Sequence, residues 1–95
     1  MAFSPEQTDT LHGLYISHVA RLKSDVIEVN RSLGSSHPEK TGIEPLSRED
    51  FSQRVKSGIA EGSEAVQLWI KRILHGHEQE HPDLVTAVDS IEIKK

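Results

Sequence analysis

The fold of this chain is decided by residues 15–33, YISHVARLKSDVIEVNRSL, in which apolar side chains recur at alternating steps of four and three. A second run, residues 55–73, reads VKSGIAEGSEAVQLWIKRI and repeats these steps. Such steps place apolar residues in one stripe along a helix, whereas a strand would alternate with a period of two. The two runs therefore predict two long helices that pack against each other. The two stripes consist of Tyr15, Val19, Leu22, Val26, Val29 and Leu33, and of Val55, Ile59, Gly62, Val66, Trp69 and Ile73.

Residues that favour helix ends set the limits of the first helix. Ser4 and Gln7 form a capping box, and Pro5 occupies the first helical position, where its missing N–H costs nothing. Gly34 can take the left-handed conformation that ends a helix. The first helix is therefore predicted at about 5–33. A connector with two prolines and two glycines follows at 34–47, and a mobile, solvated loop is favoured over a functional segment.

The second helix is predicted at about 48–75, between an N-cap at Ser47 and a stop at Gly76. Its middle is weak, because Gly62 disfavours helix and Ser63 can cap a fresh one, so a break near 61–63 is the alternative. A continuous helix is favoured because the apolar stripe keeps its phase through Gly62. A short C-terminal helix at about 82–91, starting at Pro82, completes the predicted all-α fold.

An antiparallel hairpin around the connector gives a testable register, in which the numbers of facing residues sum to about 84. It pairs Val29 with Val55, Leu22 with Gly62, and Tyr15 with Trp69. Two explanations of Gly62 stay open. Either the missing side chain makes room for Leu22, or the glycine is a weak point in the helix.

Composition bounds the size of the core. Ninety-five residues make one domain, of which 35% are apolar and only 4% aromatic. A core this small leaves apolar helix surface uncovered, so we expect a homodimer in which two hairpins complete a four-helix bundle.

Charge and cysteine content exclude several classes of function. Eleven Lys and Arg stand against 15 Asp and Glu, and no basic stripe is present, which argues against nucleic-acid binding. No apolar run is long enough to span a membrane. The chain lacks cysteine and begins without a signal-peptide pattern, so we expect a cytoplasmic protein without disulfides.

One catalytic motif appears in the sequence. Residues 77–81, HEQEH, match H-E-x-x-H, which on a helix places two His ligands around zinc with Glu as the general base. Here Gly76 precedes the motif and Pro82 follows it, and both disfavour a helix at this point. A metal-dependent hydrolase is therefore the minor alternative, and we predict no catalytic activity.

A broader metal hypothesis uses the cluster of His75, His77 and His81, because imidazoles in a loop can bind zinc or another divalent transition metal without helical spacing. His12 would join this cluster if the predicted register holds. The competing interpretation is a solvated turn in which imidazoles favour the C-terminal end of a helix electrostatically.

The sequence thus predicts a small intracellular interaction module that works through an apolar helix face, either as a homodimer or as an adaptor to a larger protein. The alternative is a His-rich metal-binding or metal-sensing protein. The residues expected to carry most of the binding energy at the partner surface are Tyr15, Leu22, Trp69, Ile70, Ile73 and Leu74.

Overall fold

A computed structural model describes residues 3–94, which form four α-helices and no strand. The helices are α1 (Pro5–Ser32), α2 (Arg48–Glu61), α3 (Glu64–Leu74) and α4 (Pro82–Asp89). The all-α prediction is confirmed for this part of the chain. None of these helices is long and apolar enough to cross a membrane.

The first helix begins as its sequence predicts. The Ser4 hydroxyl accepts a hydrogen bond from the Gln7 backbone N–H at 3.1 Å, and the Gln7 side chain accepts one from the Ser4 N–H at 2.9 Å. This capping box satisfies two of the backbone donors that a helix start leaves free. At its other end, α1 stops at Ser32 and Gly34 takes a positive φ of 78°.

The predicted helix 48–75 is wrong in one respect, because it is two helices with a sharp corner at Gly62. Gly62 has φ 65° and ψ 37°, the left-handed conformation that ends α2, and the Ser63 N–H returns to the Gly58 carbonyl at 2.9 Å. The Ser63 hydroxyl then caps α3 by accepting from Val66 N–H at 3.3 Å. These two local signals outweigh the unbroken phase of the apolar stripe.

Both glycines at this corner serve close packing. A Cβ on Gly58 would lie 2.4 Å from the Val66 side chain, so the glycine lets α3 turn back tightly against α2. A Cβ on Gly62 would lie 2.6 Å from the Lys94 backbone nitrogen. Gly62 therefore makes room for the C-terminal segment, and the predicted role of accommodating Leu22 is wrong.

The corner also changes the helix register. Tyr15 and Trp69 meet as predicted, with ring centroids 5.6 Å apart. The pairing of Val29 with Val55 is not formed, since Val29 is 56% exposed while Val55 is buried. The start of α1 lies beside α2 instead, where Asp9 pairs with Arg48.

One core lies between the first half of α1 and the other three helices. Its aromatic centre is Tyr15 against Phe51, with centroids 4.8 Å apart, and α4 closes it with Leu84 and Val88. The last helix ends at Asp89, two residues before the predicted end, and Ile91 continues into the core. The core is therefore built around one end of a long helix.

Candidate protein-binding surface and histidine pocket

Most of the predicted partner-binding residues lie in the core of the chain itself. Tyr15, Ile70, Ile73 and Leu74 are at most 6% exposed. Trp69 is half-buried, and the Arg54 guanidinium lies 4.7 Å from its ring centroid. These five residues stabilise the fold, and Leu22, which is 42% exposed, is the member of the predicted set that is most open to a partner.

Within residues 3–94, three of the five large exposed apolar side chains lie on the second half of α1 and its C-cap, and the other two are Ile16 in the first half and Leu68 on α3. Leu22, Val29 and Leu33 are 42%, 56% and 79% exposed, and the half-buried Val26 lies between them in the same phase. We call these four residues the α1 stripe. Its steps of four and three continue the buried positions Leu11, Tyr15 and Val19 without a change of phase. The same helix face is therefore core at one end and surface at the other.

Helix lengths explain why the stripe is uncovered. The 28 residues of α1 extend about 42 Å, whereas the 14 residues of α2 and 11 of α3 extend about 21 Å and 16 Å. A continuous second helix would have covered α1 along its length. Because the chain turns back at Gly62, neither shorter helix does so.

The connector covers the neighbouring flank of α1 and leaves the stripe free. The Asn30 side-chain amide donates to the Pro38 carbonyl at 3.0 Å, and the Leu46 N–H donates to the Tyr15 hydroxyl at 2.8 Å. Between these two anchors, Ile43 is half-buried beside the core. The connector thus has a defined path back along α1.

The H-E-x-x-H motif does not lie on a helix. Residues 78–80 form a turn, and His81 has φ −133° and ψ 62° as the residue before α4. The His77 carbonyl accepts from Glu80 N–H at 3.2 Å and from His81 N–H at 3.1 Å, which closes a single turn. The helical geometry that a zincin-type hydrolase requires is therefore absent from this motif.

A small pocket brings two of the predicted metal ligands to α1. It has a volume of about 30 Å³, and His75 and His77 line it together with His18 from α1. His12 is not part of it, because its ring packs 5.3 Å from that of Phe51 in the core. His81 does not line it either. Sequence reasoning missed His18, whose position opposite the turn depends on tertiary packing.

The imidazoles of His75 and His77 differ in their surroundings. The His75 side chain is 88% exposed, with its Nδ1 4.0 Å from a Glu78 oxygen, while that of His77 is 31% exposed, with its Nδ1 3.7 Å from a Glu80 oxygen. The His77 Nδ1 is buried and has no hydrogen-bond partner. Within residues 3–94, no three His, Asp or Glu side chains are placed to hold a metal ion together. Zinc binding by His75, His77 and His81 stays a prediction.

One carboxylate in this turn is electrostatically perturbed. The pKa of Glu78 lies below its ordinary value, chiefly because its own backbone N–H donates to the carboxylate. The Gly76 N–H adds a hydrogen bond of 2.9 Å, and His75 and His77 add a smaller attraction. The ionised Glu78 therefore favours this turn conformation.

A larger open groove of about 620 Å³ lies between the start of α1 and α2. Its apolar part is formed by Phe3, Val55 and Ile59, and an ion pair between Asp9 and Arg48 crosses it. Its charges are mixed and include no triad of nucleophile, base and orienting group. The groove therefore indicates no particular chemistry.

Comparison with known proteins identifies no relative: no protein-family model, curated protein or solved structure matches this chain. The α1 stripe and the pocket lined by His18, His75 and His77 are the features of the chain that suggest a function.

Proposed function

We propose that this protein is a small helical interaction module that self-associates through the α1 stripe. The observation that carries this proposal is the exposure of Leu22, Val29 and Leu33 in phase with the buried half of their helix. Spacing of four and three makes the stripe about as wide as one helix, and such a stripe is complementary to another helix with the same spacing. A second copy of the chain supplies such a helix, and a twofold interface pairs one patch with itself.

The shape of the chain favours an antiparallel pair. Packed helices lie 8–10 Å apart, whereas the chain measures 46 × 28 × 24 Å and carries its bulk around one end of α1. Parallel α1 helices would bring the two bulky ends together and force them to clash. Antiparallel helices place these ends apart, with Leu22 opposite Leu33 of the other copy and Val26 opposite Val29.

The expected affinity is modest. Complete burial of one Leu or Val side chain contributes about 1.5–3 kcal/mol, and the stripe side chains are already partly covered. Summed over two copies, this gain is of the same order as the cost of association. We therefore expect a reversible dimer whose population rises with protein concentration.

Sedimentation equilibrium over a range of concentrations tests the proposal, with the wild type compared with Val29→Asp. An aspartate in the centre of the stripe would have to be desolvated on association, so we expect this variant to stay monomeric. Leu68→Asp is the matched control, because Leu68 is 47% exposed but belongs to α3 and not to the stripe. We expect the control to dimerise like the wild type.

Other outcomes would decide against self-association. A wild-type chain that is monomeric at every concentration, or a Val29→Asp variant that still dimerises, would overturn it. In the first case, the stripe would instead bind a helix of another protein, which is the adaptor form of the same hypothesis. A repeat in chelator and with stoichiometric zinc addresses the metal hypothesis, since a metal-dependent assembly would dissociate in chelator.

A further inference from the structure

The pocket at His18 has an unusual set of polar groups. Besides the three imidazoles, its polar lining consists of the Ser17 hydroxyl and the Arg21 guanidinium, while Leu14 and Ile73 supply apolar contacts. Each of these polar groups can donate a hydrogen bond, and Arg21 carries a permanent positive charge. No carboxylate lines the pocket. In a chain with a net charge of −4, the pocket thus brings hydrogen-bond donors together with one permanent positive charge.

The acidic residues near the pocket form no ion pair with Arg21. Glu78 and Glu80 lie beside the Nδ1 atoms of His75 and His77, and neither lines the pocket. Arg21 forms no ion pair with any residue between 3 and 94. Its guanidinium is therefore free to bind an anion from outside the chain.

We propose that Ser17, His18, Arg21, His75 and His77 form a binding pocket for a compact oxyanion, that is, a carboxylate or a phosphate group. A volume of about 30 Å³ is close to the volume per molecule in liquid water. It accommodates one or two oxygens of such a group, and the rest of a larger molecule would lie outside the pocket. Arginine pairs with both groups through two parallel hydrogen bonds, and the hydroxyl and imidazole N–H groups add further donors.

A metal ion fits this pocket less well than an anion. The Arg21 guanidinium repels a cation, and the three imidazoles are not placed to share one ion. An oxyanion is instead attracted by Arg21 and needs no convergence of imidazole lone pairs. The pocket is also near the α1 stripe, because His18 precedes Leu22 by one helical turn. A helix bound on the stripe could therefore place an acidic side chain here.

The test is an NMR titration of the full chain at neutral pH and constant ionic strength. Sodium phosphate and sodium acetate are the two probes, which separate phosphate from carboxylate binding, and sodium chloride is the control. We expect saturable shifts in the amide signals of Ser17, Arg21 and His77 with at least one probe and none with chloride. The dissociation constant should rise at least tenfold in Arg21→Gln and stay unchanged in Arg31→Gln, an exposed arginine on the same helix.

Two results would overturn the oxyanion pocket. One is equal shifts with chloride, which would show only general charge screening, and the other is unchanged binding by Arg21→Gln. Val29→Asp separates this inference from the proposed dimer, because Val29 is not among the pocket residues. If self-association fails but the pocket exists, the monomeric chain still binds the anion. If the pocket fails, wild-type sedimentation is unaffected.

Discussion

The two halves of α1 carry the same apolar pattern but have opposite environments. In the first half, Leu11, Tyr15 and Val19 are at most 6% exposed, because α2, α3 and α4 surround them. In the second half, the same phase continues through Leu22 to Leu33, which is 79% exposed. The difference shows that periodicity defines which face of a helix is apolar, while the lengths of the neighbouring helices decide how much of that face is covered.

The largest expected effect comes from comparing two substitutions, one in each half of α1. Leu11→Ala removes a side chain that is 0% exposed and should lower the free energy of unfolding by about 2–5 kcal/mol. Leu33→Ala removes the same atoms from a site that is 79% exposed, and we expect a change within about 0.5 kcal/mol. Urea unfolding of dilute protein measures both. Equal losses would contradict the division of α1 into a core half and a surface half.

A second pair of variants tests the corner that leaves the stripe uncovered. Gly62→Ala places a Cβ at φ 65° and within 2.6 Å of the Lys94 nitrogen, and it should destabilise the chain by about 1–3 kcal/mol. Gly13→Ala is the matched control, because nothing lies within 4 Å of its Cβ and alanine favours helix by about 0.5–1 kcal/mol. Thermal unfolding should therefore shift in opposite directions. A stabilised Gly62→Ala variant would argue for a continuous second helix.

A smaller effect concerns the connector along the second half of α1. Asn30→Ala removes the side-chain amide that donates to the Pro38 carbonyl and should lower stability by about 1 kcal/mol. Hydrogen exchange should then accelerate at Lys40, whose N–H donates to the His37 carbonyl, and stay unchanged in α3. Unchanged exchange at Lys40 would show that the connector is held by its apolar contacts instead.

The smallest effect is the pH dependence contributed by Glu78. Its pKa is lowered in the folded chain, so the ionised carboxylate stabilises the fold at neutral pH, and this contribution is lost as the pH falls through the folded pKa. Glu78→Gln should therefore be slightly less stable than the wild type at pH 7, and the difference should vanish in acid. Urea unfolding at several pH values measures it. Glu44→Gln, an exposed connector variant, should not show this trend.

The helix ends were predictable because their signals are local. The Ser4 and Gln7 capping box and the Ser47 cap each act within a few residues, so their chemistry does not depend on the rest of the fold. The corner at Gly62 was only half predictable. Its own residues indicate a break, but the apolar stripe runs through it in phase, and two conflicting patterns cannot be weighed without knowing what packs there.

The candidate sites were less predictable than the helices. The sequence grouped His75, His77 and His81 because they are close in number, whereas the folded chain places His18 beside the first two and leaves His81 outside the pocket. Arg21 also lines this pocket. Its spacing of three residues from His18 places both on the same side of α1, but nothing in the sequence shows that this side faces the turn after α3. Such long-range neighbours follow from helix packing.

By itself, the sequence determined an all-helical chain, the start of each long helical segment and the apolar face of α1, because hydrogen-bonded caps and 3.5-residue spacing are local properties. Only the tertiary structure decided which part of that face is core and which is surface. The physical reason is that burial depends on the reach of neighbouring elements. The chain turns back at Gly62, where Gly58 packs against Val66 and Gly62 packs against the C-terminal segment. The helices that pack on α1 therefore reach only as far as Val19, and Leu22, Val29 and Leu33 are left exposed.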